Sequence, residues 1–175
     1  MPRHFLITGG AGFIGSNYVS RLIRRGEQVT IFDNLSRKGA SLNLEWLRDE
    51  YGPNTFQLIQ DDVRDARAIT AAAKGIDVLV HLAAQVAVTT SVTNPREDFE
   101  VNALGTFNTL EAARVSGRNP IFLYASTNKV YGEMEDVAVG EYATRYMYQA
   151  LEDGCPETQP LDFHSPYGCS KGTGD

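Results

Sequence analysis

The chain has 175 residues, 42% of them hydrophobic and 22% charged, which is the make-up of one globular domain with a sizeable core. Its 16 basic and 22 acidic side chains leave a formal net charge of −6, which argues against a nucleic-acid or polyanion surface and favours small-molecule partners. No long uninterrupted apolar segment opens the sequence, so the reading is a cytoplasmic chain with neither signal peptide nor membrane contact, and Cys155 and Cys169 are expected as free thiols.

The apolar run Phe5-Leu6-Ile7 predicts a first strand, which leads into Thr8-Gly9-Gly10-Ala11-Gly12-Phe13-Ile14-Gly15 and then into a helical pattern. Glycines at such a corner permit a tight turn, close backbone approach to a pyrophosphate and close packing of helix on strand. The helix start offers N–H groups and a positive dipole end to the phosphates. The spacing can be read as Gly9-x-x-Gly12-x-x-Gly15 or as Gly10-x-Gly12-x-x-Gly15, and taken alone it also fits a plain strand-turn-helix corner. Context favours a dinucleotide site, because a second apolar run, Val29-Thr30-Ile31-Phe32, ends in Asp33, eighteen residues after Gly15. An acid at that strand tip is placed to bind the ribose hydroxyls of NAD. Arg37 and Lys38 could hold the 2′-phosphate of NADP, but Asp33 would repel it, so NAD is the expected cofactor.

Between these runs Ile14, Tyr18, Val19, Leu22 and Ile23 fall on one helical stripe that ends at Arg24-Arg25-Gly26. A short helical pattern follows with Leu42, Leu44, Trp46 and Leu47. Phe56 to Ile59 reads as a third strand ending in Asp61-Asp62-Val63, and Ala66 to Lys74 as a helix closed by Gly75. Asp77 to Leu82, with the apolar run Val78-Leu79-Val80, reads as a fourth strand of the kind buried on both faces of a parallel sheet. It ends in Ala83-Ala84-Gln85, small residues that leave room for a cofactor at the strand's carboxyl end, although simple turn packing also accounts for them.

Asn94-Pro95 starts a long helix to about Gly117, with Phe99, Ala103, Thr106, Leu110 and Ala113 on its buried stripe. Asn102 lies in that stripe, where a satisfied structural amide is commoner than a catalytic one. Ile121 to Ala125 is the fifth strand and runs into Ser126-Thr127-Asn128-Lys129-Val130-Tyr131-Gly132, whose hydroxyls point to the crevice of the glycine turn. From Glu133 to Phe163 the pattern dissolves into a segment long enough to be a functional loop or a flexible surface excursion. Ser165-Pro166-Tyr167-Gly168-Cys169-Ser170-Lys171 then begins a helix that carries tyrosine and lysine on one face. His4, His81 and His164 have no ligand-like spacing, so no metal is expected. The β-α alternation predicts an α/β fold, a Rossmann-type doubly wound parallel sheet in the order 3-2-1-4-5, with the cofactor at the carboxyl edge between strands 1 and 4.

Taken together, the Thr8 to Gly15 turn, Asp33, Asp62-Val63, Leu82-Ala83-Ala84-Gln85, Asn102, Ser126-Thr127 and Tyr167-x-x-x-Lys171 resemble the extended short-chain dehydrogenase/reductase family, in the branch of nucleotide-sugar epimerases and dehydratases. The stretches Phe32 to Ala40, Ser126 to Gly132 and Leu161 to Gly172 look, more narrowly, like the CDP-paratose 2-epimerase (CDP-tyvelose epimerase) group.

That resemblance implies that Gly9, Gly12, Phe13, Ile14 and Gly15 hold the pyrophosphate, Asp33, Asn34, Ser36 and Arg37 the adenosine ribose region, and Asp62 with Val63 the adenine. Leu82, Ala83, Ala84, Gln85 and Asn102 would serve the nicotinamide side. Thr127 would hydrogen-bond the reacting sugar hydroxyl, Tyr167 would be the acid/base, and Lys171 would bind the nicotinamide ribose. A free tyrosine, with a pKa near about 10, needs a nearby cation to act as a base, and Lys171 supplies one. The implied activity is NAD-dependent epimerisation at C2 of a CDP-dideoxyhexose through a keto intermediate, in a homo-oligomer when full length. A 4,6-dehydratase would need an acid and a base where Asn128 and Lys129 stand, and a non-catalytic NAD-binding module would not need the Tyr167–Lys171 pair. Members of the family continue past this length with more strands and a substrate domain, so residues 1–175 read as a cofactor domain expected to be inactive alone.

Overall fold

Side chains alternate across a strand, so a strand packed between two layers needs apolar residues on both faces. In β1 (His4–Thr8) Phe5 and Ile7 face one layer and Leu6 the other, and all three are buried. The same alternation runs through β2 (Gln28–Phe32) and β4 (Val78–His81). With β3 (Gln57–Ile59) and β5 (Ile121–Tyr124) these strands form one parallel sheet in the order β3-β2-β1-β4-β5, the order expected from the alternation of elements. Phe5 sits opposite Val29 on one side and Val78 on the other. The computed structural model describes residues 1–151 and 153–175.

Two helical layers cover the sheet. Helices α1 (Phe13–Arg24) and α2 (Ala40–Tyr51) bury Val19, Leu22, Leu44 and Leu47 against Phe5, Ile7, Ile31 and Val80. On the opposite face α3 (Ala66–Ala72) brings Ile69 to Leu6, Phe32 and Leu79. A short helix α4 (Val88–Thr93), absent from the sequence reading, leads into α5 (Pro95–Phe99), capped by the Asn94 side chain on Glu97 N. One π turn, Glu100–Leu104, joins α5 to α6 (Gly105–Arg114), which packs on α3. α7 (Pro166–Gly172) closes the chain. Among the described residues no helix is long and apolar enough to cross a membrane.

Several expected core positions face outward instead. Ile14 is 67% exposed because it sits in the first turn of α1 at the rim of the glycine turn, and Leu42 and Trp46 lie on the outer side of α2. Along the long helical segment Ala103, Thr106 and Ala113 are buried as expected, but Phe99 is 55% and Leu110 42% exposed. Two causes combine: the π turn inserts a residue and shifts the helical phase ahead of it. The close approach to α3 and the sheet also selects the small face of Gly105, Thr109, Ala112 and Ala113. The segment read as patternless contains an antiparallel hairpin, β6 (Val139–Glu141) with β7 (Tyr146–Tyr148), in which Val139 pairs with Tyr148 and Glu141 with Tyr146.

Candidate active site

The carboxyl ends of all five parallel strands lie along one edge of the sheet. There the glycine turn has little freedom. Gly9 adopts φ +69°, and a Cβ on it would stand 2.7 Å from Ala83 N and 2.8 Å from the Leu82 carbonyl carbon. A Cβ on Gly15 would stand 2.3 Å from Gly9 O and 2.7 Å from Gly10 Cα. Gly12 is the N-cap of α1, and a Cβ there would meet only Gly9 O, at 3.2 Å. A Cβ on Gly10 would stand 2.9 Å from the Ile31 side chain and 3.0 Å from Ile7 O, but only Gly9 adds a positive φ and closer contacts to backbone, so the first of the two readings fits best: Gly9 allows strand end and turn to touch, and Gly15 allows helix and turn to touch. Phe13 and Ile14 open α1 at this rim, exposed, with the unpaired N–H groups of a helix start.

Asp33, just after β2, is half-buried. Its Oδ2 accepts from Ala11 N at 3.0 Å and its Oδ1 from Leu35 N at 2.9 Å, so the acid braces the glycine turn and bends the chain out of the strand. Asn34 Nδ2 donates to Asp62 Oδ2 at 2.8 Å while its Oδ1 accepts from Ser36 N. Arg64 grips the Asp62 carboxylate at 2.7 and 2.9 Å and, with Asn34, holds its pKa down to about 2. Val63 is buried below, its carbonyl accepting from Asn108 Nδ2. Asp33, Asn34 and Asp62 thus gather at one end of the crevice, with Ser36 and Arg37 exposed on the loop beside them.

Across β1, Leu82, Ala83, Ala84 and Gln85 continue β4 as a half-buried segment. Below it lies a polar chain that the sequence reading did not find. Ala83 N donates to Thr8 Oγ1 at 3.3 Å, Thr8 Oγ1 bonds His81 Nδ1 at 2.6 Å, and His81 Nε2 bonds Thr106 Oγ1 at 3.1 Å. Thr106 donates onward to Asn102 O. Because that hydroxyl proton goes to Asn102, His81 Nε2 donates to Thr106, and in the neutral ring Nδ1 then accepts from Thr8 Oγ1. Burial, with Lys171 nearby, pushes the His81 pKa down to about 3. Asn102 is 1% exposed: its Oδ1 accepts from Gln85 N at 2.9 Å, and the two protons of its Nδ2 are shared among three acceptors, Gln85 O, Ser170 Oγ and Asp98 Oδ1. The Gln85 side chain is tied to Ala87 and Asp98, so both amides shape the loop after β4 from beneath.

The remaining groups come from α7 and the end of β5. Thr127 follows β5, and its hydroxyl caps a 3₁₀ turn, Asn128–Tyr131, by accepting from Lys129 N. Ser165 caps α7 through Gly168 N, and the missing Cβ of Gly168 lets α7 lie against Lys129 O. Tyr167 is 8% exposed, its N–H bonded to Ser91 Oγ of α4 at 3.1 Å. Lys171 is 4% exposed: Nζ donates to Ala125 O at 2.6 Å and stands 4.2 Å from the Tyr124 ring centroid. Burial lowers the Lys171 pKa to about 8, against the opposing pull of Asp175 and Asp98, which leaves an ammonium at neutral pH. Tyr124 donates to Lys171 O, and burial pushes its phenol up to about 12, so it stays protonated. A cavity of about 590 Å³ opens beside these groups, lined by Ser126, Thr127, Asn128, Tyr131, Glu157 and Asp175 among others.

Sequence reasoning missed Ser91, Asp98, Tyr124 and Ser170. Asp98 sits in Arg96-Glu97-Asp98-Phe99-Glu100, which reads as a solvated face, and only the tertiary fold turns that one acid inward.

Residues 6–175 match the family model described as GDP-mannose 4,6 dehydratase. The CDP-paratose 2-epimerase of Salmonella typhi is 47% identical over 172 residues, covering 97% of this chain and 50% of that protein. The solved dTDP-glucose 4,6-dehydratase of Streptomyces venezuelae, with NAD bound, aligns with a TM-score of 0.78 at 28% identity over 98% of this chain and 49% of that one. The UDP-glucose 4-epimerase of Thermus thermophilus, in complex with NAD, gives a TM-score of 0.74 at 36% identity over 96% and 47%. The chain spans about half the length of the curated relatives it matches.

Proposed function

Because the chain belongs to the family described as GDP-mannose 4,6 dehydratase, whose members are NAD-dependent epimerases and dehydratases, we propose that it is the cofactor and acid/base part of an epimerase acting at C2 of a CDP-linked dideoxyhexose. The similarity to the Salmonella typhi enzyme supports the substrate class. The observation that carries the reading is Tyr167 and Lys171, both buried on one helix at the end of β5, where Thr127 lines the adjoining cavity.

The residues present fit a dinucleotide. The turn at Gly9 and Gly15 leaves backbone where a side chain would stand, a helix start faces the same edge, and Asp33 closes the ribose end. Gly9 to Gly15 would hold the pyrophosphate, Asp33 to Arg37 the adenosine ribose, Asp62 and Val63 the adenine, and the Leu82 to Gln85 segment the nicotinamide. When bound, NAD supplies reversible hydride acceptance. Tyr167 takes the C2 hydroxyl proton, and the Lys171 ammonium stabilises its phenolate. Thr127 holds the same sugar oxygen. With C2 a carbonyl, rotation of the sugar presents its other face, and Tyr167 returns the proton to give the inverted alcohol. An elimination would need further acids and bases after Thr127, and Asn128 and Lys129 are not carboxylic acids.

Proton NMR of CDP-paratose or CDP-tyvelose deuterated at C2, incubated with NAD and the chain extended to the length of its relatives, tests this. The expected result is inversion at C2 with the label retained on the sugar; washout of deuterium into water, or loss of water from the sugar, would overturn it. The exposed stripe of Phe99, Leu104, Phe107 and Leu110 supports assembly with a second copy, which sedimentation would show as a dimer-sized particle.

A further inference from the structure

The Asp98 carboxylate is 1% exposed and has no part in the mechanism above. Removing an ion from water costs several kcal/mol unless its partners compensate, so its surroundings must account for it. Oδ1 accepts from Gln85 Nε2 at 2.7 Å and from Asn102 Nδ2 at 3.2 Å, and Oδ2 accepts from Ser170 Oγ. All three partners donate, so the acid is satisfied as an anion without a proton of its own. They come from the loop after β4, from the π turn, and from the residue next to Lys171 on α7.

We propose that Asp98 is a positioning residue that clamps α7 to the Gln85 loop through Ser170 and stands as the buried counter-charge to Lys171. The proposal rests on the reading of Lys171 as the cation beside Tyr167. A neutral side chain could knit these elements together at a smaller desolvation cost, whereas a carboxylate here also balances an ammonium that is itself 4% exposed. Direct contacts of that ammonium are the Ala125 carbonyl and the Tyr124 ring, neither of which carries charge. The titratable groups around it are Asp98 from α5, Asp175 after α7, Tyr124 of β5, Tyr167 of α7 and neutral His81 of β4. Asp175 lies where Ser126 Oγ donates to it at 2.5 Å on the cavity side, so Asp98 is the acid on the buried side. Asp98 and Asn102 reach Ser170 together from consecutive turns.

The test uses the 175-residue chain without any sugar, so it does not depend on turnover. The sequence has four lysines, Lys38, Lys74, Lys129 and Lys171, and carbon-13 labelling of their Cε resolves the Lys171 titration by NMR. Asp98→Asn keeps the shape and removes the charge, and the Lys171 midpoint is expected to fall by about half a unit or more. An Asp98 that only ties hydrogen bonds would leave that midpoint in place, and this result would overturn the proposal. Asp98→Ala removes the same charge without setting an amide against the three donors, and the Lys171 midpoint should fall by a similar amount. That second variant decides the matter if Asp98→Asn does not fold, and an unmoved Lys171 midpoint in it would overturn the proposal as well. Failure of CDP-sugar turnover by a chain extended to the length of its relatives, with the Lys171 shift present, would count against the proposed reaction and leave the clamp standing.

Discussion

The two ends of the crevice are built in different ways. At the end proposed for the pyrophosphate and adenosine the shape is backbone: Gly9 and Gly15 are defined by what a Cβ would strike, and Asp33 braces the turn through N–H groups. At the end proposed for catalysis the shape is side chains reaching across the chain, from Ser91 to Tyr167 over 76 residues, Asp98 to Ser170 over 72, and Asn102 to Ser170 over 68. A cradle of close backbone contacts tolerates no added atom, while a lattice of polar side chains can lose one bond and still hold a similar outline. Substitutions at the two ends should therefore fail differently.

The widest separation between the ends is expected from Tyr167→Phe in a preparation that turns over a CDP-sugar. Acid–base groups contribute about 100- to 10,000-fold, so kcat should fall in that range while calorimetric NAD affinity stays close to the parent value. Retention of more than about a tenth of the activity would remove Tyr167 from the proton transfer.

The converse at the other end is Gly9→Ala, which combines a positive-φ site with a Cβ contact of 2.7 Å to backbone. Strain and overpacking together predict a loss of about 2–5 kcal/mol in urea unfolding, with NAD binding weakened in step. Gly12→Ala, facing only one atom at 3.2 Å, is expected to cost about 1 kcal/mol or less. Equal effects at the two glycines would dissolve the idea of a steric cradle.

pH probes the core between the two ends. His81 has a folded pKa of about 3 against 6.5 for the free side chain. Between these values the unfolded chain binds a proton that the folded chain refuses, so stability falls as pH drops through this window and is unaffected by this group above it. The slope approaches about 1.4 kcal/mol per pH unit at most. Urea midpoints measured across the window should follow that slope, and His81→Asn should flatten it.

The smallest effect expected concerns cofactor choice. Asp33 meets a 2′-phosphate with like charge, softened by exposed Arg37, so NAD should bind about tenfold or more tightly than NADP, a difference of roughly 1.4 kcal/mol. Titration of both cofactors decides, and tighter NADP binding would move Asp33 out of the ribose site.

The strands, the glycine turn, the acid at the end of β2 and the Tyr167–Lys171 spacing were all legible because each is a local pattern: period-two apolarity, a turn requirement, a four-residue helical repeat. The sheet order followed from the alternation of strands and helices with right-handed crossovers. The long helical segment was less legible. Its π turn leaves no mark in composition, so Phe99 and Leu110 were expected inside when the small face of Ala112 and Ala113 is the one buried. The hairpin at Val139–Tyr148 was hidden for a related reason, since its strands are three residues each and flank no core.

By itself, then, the sequence determined the α/β class and the location of the crevice, which follow from local patterns, and the order of the strands, which follows from their alternation with helices under the right-handed crossover rule. Tertiary structure alone decided which glycine spacing mattered, which way the helices turned, and that Thr8, His81, Thr106, Asn102, Gln85, Asp98 and Ser170 form a continuous polar web under the crevice. Such a web is assembled from residues dozens of positions apart, each unremarkable in its own neighbourhood. Its members become partners only when burial removes water and leaves every donor and acceptor to be satisfied by the protein.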